Sequence, residues 1–201
     1  KLMGVEVYGL LGVFMSLSAL FILLDMGLST TLSRELSRLS VIENSEQESR
    51  NLVRTFEVVY WLIGIVIGAS VIILAPLIAK YWINSANIST EIIEQTLLIM
   101  GMLLAFQWPR AIYIGGLEGL QRQVLYNVIK TLSMLARHIG AVLILTFISP
   151  SILYFFYWQS VIALITTIVL AVYLWRSLPK SNGRSKFDKN LFIKNWKFVS
   201  G

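Results

Sequence analysis

Apolar residues run along the chain in long blocks separated by short polar stretches. About five blocks reach the roughly 20 residues that a membrane-spanning helix needs. They predict spans over 8–33, 56–78, 92–116, 124–148 and 152–175. At 1.5 Å rise per residue, each covers roughly 34–39 Å, enough to cross a bilayer with some tilt. The expected fold class is therefore all-α and integral to a membrane, a bundle of about five transmembrane helices. Composition agrees. Hydrophobic residues make up 56% of the 201 and charged residues only 14%, where a soluble domain carries nearer a quarter charged. The first block is a poor signal peptide, because it lacks a basic leader, is too long, and holds Asp25.

The polar gaps carry an uneven charge. The segment after the first span holds Arg34, Arg38, Arg50 and Arg54, the turn after the third holds Arg122, and the tail after the fifth holds Arg176, Lys180, Arg184, Lys186 and Lys189. The opposite side holds Lys1 and Lys80. Under the positive-inside rule the first set is expected in the cytoplasm, with the start of the chain outside and its end inside. The acidic Glu35, Glu43, Glu46 and Glu48 weigh little in that rule. Tyr60 with Trp61, Tyr81 with Trp82, and Trp175 are expected in the interfacial belts. The net charge of +6 then reflects topology and contact with anionic lipid, not nucleic-acid binding. After Lys186 the sequence predicts a basic amphipathic segment with Phe187, Leu191 and Phe192 at near-helical spacing, a linker into a further span; the other reading is a floppy basic linker.

Polar side chains inside spans carry the candidate chemistry, since a charge there costs about 2.5–3.5 kcal/mol on the insertion scale. Asp25 lies deep in the first span with Ser18 and Ser29 on its side. In the fourth span Gln123, Asn127, Lys130, Met134, Arg137 and Ala141 recur at spacings of four and three. They fall within roughly ±40° of one line along the helix. Such a stripe predicts a polar cavity, or else a buried ion pair between Arg137 and Asp25. Lys130 has the option of snorkelling to the interface. In the third span Pro109 predicts a kink beside Arg110, which either snorkels or joins the cavity. His138, the one histidine, lies about 100° round the helix from Arg137 and reads as a packing residue before a proton relay. Gly64 and Gly68 make a GxxxG pair expected to serve packing, and Pro76 is expected to close its helix.

No catalytic constellation, phosphate-binding glycine loop or metal-ligand spacing occurs, and there is no cysteine. The loops are too short for an enzyme domain. No catalytic residue, metal or cofactor is expected.

Two stretches carry a resemblance. One is Gly4-Val5-Glu6-Val7-Tyr8-Gly9-Leu10, followed by the run ending Leu24-Asp25-Met26-Gly27-Leu28-Ser29-Thr30-Thr31 and then Arg34. The other is Gly115-Gly116-Leu117-Glu118-Gly119-Leu120-Gln121-Arg122, with Asn127 after it. Together they resemble the polysaccharide (O-antigen) flippases, of the superfamily that also holds the multidrug-and-toxin-extrusion transporters and lipid II flippases. The resemblance implies two six-helix lobes around a central, cation-lined cavity, in the cytoplasmic (inner) membrane. It implies export of isoprenoid-pyrophosphate-linked oligosaccharide such as O-antigen or capsule units, for lipopolysaccharide and other surface polysaccharides, with H+ or Na+ as a coupling ion. Residues 1–185 would then belong to the first lobe, and 186–201 to the link into the next helix. The absent initiator Met and the apolar run at the end suggest a piece of a longer protein whose other lobe is a partner.

The residues suit such cargo on their own account. A pyrophosphate crossing a low-dielectric interior needs cationic and amide donors. Asp25, Arg110, Gln123, Asn127, Lys130 and Arg137 are the expected cavity residues. The alternatives are a multidrug exporter of the same superfamily, which predicts carboxylates facing the cavity, and a non-transporting assembly protein, whose charges pair off.

Overall fold

The computed structural model describes residues 5–25, 27–83 and 88–193. Seven helices appear among them: α1 (Val5–Leu24), α2 (Leu28–Leu39), α3 (Glu46–Tyr81), α4 (Thr90–Gln107), α5 (Arg110–Gly119), α6 (Gln123–Phe147) and α7 (Ile152–Ser177). Among the described residues there is no strand. Four stretches are long and apolar enough to cross a membrane: α3, α4 with α5, α6 and α7. The fold is a helical membrane bundle. In α1 the apolar stretch is the shorter Gly9–Ala19.

Two expected spans are broken. The single element expected over 8–33 is two helices, because Gly27 turns the chain at φ 80°. There Leu28 N–H donates to the Asp25 carbonyl at 2.8 Å, and α2 leaves as an amphipathic helix burying Leu28, Leu32, Leu36 and Leu39. The third span breaks at Trp108–Pro109 as its proline predicts. Pro109 offers no N–H to the preceding turn, and Thr167 of α7 donates its hydroxyl to the nearby Phe106 carbonyl at 2.8 Å. Pro76, expected to close its helix, lies inside α3, which continues to Tyr81.

The expected 56–78 span lengthens to the 36 residues of α3, about 54 Å at 1.5 Å per residue. Its charged first turns run on from the apolar part. The tail after α7 is tied along them. Arg50 donates to the Pro179 carbonyl at 3.2 Å, Gln47 to the Arg184 carbonyl at 3.1 Å, and the Lys186 N–H donates to Asn51 Oδ1 at 2.9 Å. A helical turn then starts at Lys189, capped by Asp188, whose Oδ1 accepts from Asn190 N at 2.8 Å. Helix continues from there to Ile193. The expected further helix, with Lys194 and Lys197, lies outside the described residues, as do Lys1 and Gly4.

Lipid tails are as apolar as leucine, so a membrane bundle is held by small-residue seams and polar bonds. The α3–α4 seam is Gly64 and Gly68. A Cβ on Gly68 would lie 2.8 Å from the Gly101 carbonyl oxygen, and one on Gly64 2.9 Å from that of Ala105. On α7, Thr166 donates to Ser133 Oγ of α6 at 3.0 Å, and Trp158 donates to the Ala136 carbonyl at 3.1 Å. Two apolar clusters fill the interior. One runs from Leu28 through Phe56, Tyr60 and Ile112 to Leu174, and the other gathers Leu10, Leu97, Met100 and Phe156.

The α2–α3 connection, the α5–α6 turn and the tail meet at one end of the bundle. Ser37 donates to the Gly119 carbonyl at 2.9 Å, and Arg50 reaches Pro179. The three basic segments therefore share an end.

Candidate functional site

The break at Pro109 starts α5 with Arg110 in its first turn. Arg110 and Ile114 form a wall shared by two adjoining cavities. The first, about 170 Å³, lies between α5, α6 and α7, and is lined by Arg110, Tyr126, Lys130, Ser133, Met134, Arg137 and Thr166 among others. It gathers three of the expected site residues, all cationic, and no carboxylate lines it. The ion pairs among the described residues are Arg34–Glu35, Arg38–Glu35 and Arg54–Glu57, none of which involves these three cations. Lys130 Nζ stands 5.8 Å from the centre of the Tyr126 ring. The Arg137–Asp25 pair weighed above is not among these ion pairs.

Asp25 lines the second cavity, about 290 Å³, with Ser18, Ser29, Gln107, Trp108 and Arg110. Both helix breaks meet here. Ser29 donates to Asp25 Oδ2 at 2.7 Å, and the Tyr60 hydroxyl donates to Oδ1. Tyr60, expected at the interface, is fully buried and stacks on Trp108 with ring centroids 6.0 Å apart. Its partner Asp25 draws it inward. Tyr81 and Trp82 are exposed, as belt residues would be.

The remaining expected residues stand apart. Gln123 is exposed in the first turn of α6, and Asn127 lies in a shallow groove with Val124, Val128, Thr131 and Leu132. The stripe straddles two faces of α6. At 100° per residue Asn127 and Arg137 sit roughly 80° apart, at opposite edges of the stripe, and Asn127 is outside the first cavity's lining. His138 is exposed on α6. Among the described residues no three His, Cys, Asp or Glu side chains gather as a metal site requires.

Sequence reasoning missed Glu57. It is buried in α3, where its Oε1 accepts from the Tyr113 hydroxyl at 2.8 Å and from Trp175 Nε1 at 3.1 Å, while Oε2 pairs with Arg54 at 2.8 Å. Trp61 donates in turn to the Tyr113 hydroxyl at 3.0 Å. This network joins α3, α5 and α7. Its signal was Arg54-x-x-Glu57, an i,i+3 pair at the edge of an apolar run.

The second of the two resembling motifs packs directly on the first. A Cβ on Gly115 would collide with the Ser29 carbonyl oxygen, and one on Gly119 would lie 2.5 Å from that of Ser33. Only glycine allows α5 this close to α2. The seam fixes α5, and so Arg110, relative to Asp25.

Residues 1–200 match the sequence profile of a family described as "Polysaccharide biosynthesis protein". No curated protein and no solved structure matches the chain.

Proposed function

The chain belongs to the polysaccharide biosynthesis protein family, and we propose that it forms part of a flippase moving isoprenoid-pyrophosphate-linked oligosaccharide across the cytoplasmic membrane. One observation carries the proposal: Arg110, Lys130 and Arg137 converge on a cavity that no carboxylate lines. Uncompensated cations at membrane depth are costly, and a pyrophosphate supplies the missing charge. A guanidinium offers it two parallel donors, and the lysine a mobile third. The lipid tail stays in the bilayer while the headgroup crosses. A multidrug exporter for cations needs carboxylates where these three stand. In an assembly protein the charges would pair off, as Glu57 and Arg54 do. The proposal includes a second lobe, a cytoplasmic position for the basic end, and H+ or Na+ coupling without an assigned residue.

Arg137→Ala tests it. Membrane abundance and surface glycan are measured together in cells that depend on this protein. The proposal expects normal abundance with glycan export reduced at least tenfold, and partial export by Arg137→Lys. Full export by Arg137→Ala would contradict it. A parallel fall in abundance would make Arg137 a structural residue.

A further inference from the structure

The second cavity differs chemically from the first. Its polar lining is one carboxylate, two hydroxyls, one amide and the shared Arg110, with Leu104, Trp108 and Ile114 as apolar wall. The Ser18 hydroxyl oxygen is buried there with no hydrogen-bond partner among the described residues. Leaving a buried hydroxyl without a partner costs about 1–3 kcal/mol, which a hydrogen-bonding ligand or water at this wall would offset. Asp25 already accepts two hydroxyl donors, from Ser29 and Tyr60. A carboxylate offers about four lone-pair positions, so two remain for further hydroxyl or amide hydrogens.

Resting on the flippase reading, we infer that this second cavity is a sugar subsite that takes the monosaccharide joined to the pyrophosphate. Arg110 stands on the wall between the two cavities, so a headgroup lying across both puts its phosphates on the cationic side and its first ring beside Asp25. The hydroxyls of the ring donate to Asp25, and the ring oxygens accept from Ser18 and Gln107. An uncharged sugar suits this lining. A hexuronic acid would set its carboxylate against Asp25, with Arg110 engaged by phosphate, and like charges at such depth repel strongly. The subsite therefore selects a neutral first sugar.

Binding to the intact protein in lipid nanodiscs tests this with three short-chain probes: prenyl pyrophosphate, prenyl-pyrophosphoryl N-acetylhexosamine and prenyl-pyrophosphoryl hexuronic acid. Wild type is expected to bind the N-acetylhexosamine probe at least tenfold tighter than bare prenyl pyrophosphate, and the hexuronic acid probe no tighter than the bare one. Asp25→Asn and Ser18→Ala should each cut the tenfold gain over prenyl pyrophosphate, measured on the same variant, to threefold or less. Ser18→Ala removes only an unpartnered hydroxyl, so it stays informative if Asp25→Asn folds poorly. Arg137→Ala should weaken all three probes alike. Equal binding of the three probes by wild type, or a gain that survives both Asp25→Asn and Ser18→Ala, overturns the sugar subsite and leaves the flippase reading standing. A gain that needs sodium and vanishes in potassium reassigns Asp25 to a metal cation and also overturns it. Wild type that binds none of the probes contradicts the flippase reading itself.

Discussion

Helix α5 has two charged neighbourhoods, and they are built to opposite rules. On its α3 side, Tyr113 meets Glu57, a buried carboxylate whose oxygens are taken up by Tyr113, Trp175 and Arg54. On its α6 side, Arg110 meets Lys130 and Arg137 in a cavity that offers no counter-charge. Three groups of like sign gathered without a counter-charge do not stabilise a fold. A carboxylate with three donors does, by joining three helices. The contrast separates charge that holds the bundle from charge that, under the proposed function, is left for a substrate.

The largest expected effect lies in the seam that fixes α5. Gly119→Val drives a side chain into the Ser33 backbone, 2.5 Å from where its Cβ must sit. The expected loss exceeds ~3 kcal/mol, and the protein should vanish from the membrane fraction by immunoblot. Normal abundance would mean that α2 and α5 part easily.

Glu57→Ala comes next. It leaves the Tyr113 hydroxyl and the Trp175 N–H without their acceptor, a cost of about 2 kcal/mol. A lower melting temperature in detergent is expected, with glycan export falling only as far as abundance does. Lost export at full abundance would erase the distinction between the two neighbourhoods.

A smaller effect is a pattern of reactivity. Cysteines at Lys130, Met134 and Arg137 should react with a small hydrophilic thiol reagent, and prenyl pyrophosphate should protect them. A cysteine at Asn127, in the separate groove, should show no such protection. Protection at Asn127 alone would move the binding site to the other face of α6.

The smallest expected effect is an absence of coupling. Asp25 is held by Ser29 and Tyr60 and makes no ion pair with Arg137. Abundance changes of Asp25→Ala and Arg137→Ala should therefore add, to within about 0.5 kcal/mol. Rescue of one by the other would restore the buried pair.

The spans were legible because apolar blocks of this length have few other uses. The Pro109 break was legible too, since proline removes an N–H wherever it falls. The Gly27 break was not. Only Met26 and Leu28 stand between it and the polar Asp25 and Ser29, within a run otherwise apolar on its earlier side, and a lone glycine does not announce a positive φ. Of the first cavity's lining, depth and spacing pick out Arg110, Lys130 and Arg137. Gln123 and Asn127 group with them because a stripe about 80° wide reads as one face, while α5 and α7 close a cavity over one edge of it and the groove at Asn127 is lined by α6 residues alone. Tyr60 was read as a belt residue because it adjoins Trp61 near the end of an apolar run. Its true position depends on Asp25, thirty-five residues away, and no local pattern carries that. Glu57 escapes notice because its partner Arg54 counts towards topology alone.

The most direct test of the account is transfer by the purified, intact protein in proteoliposomes, using a fluorescent prenyl-pyrophosphoryl N-acetylhexosamine and a reagent that reads one leaflet. Wild type is compared with Arg110→Gln/Lys130→Gln/Arg137→Gln and with Glu57→Gln. The account predicts transfer by wild type, transfer by Glu57→Gln in proportion to its folded fraction, and none by the triple variant at full incorporation. Transfer by the triple variant at the wild-type rate would contradict it.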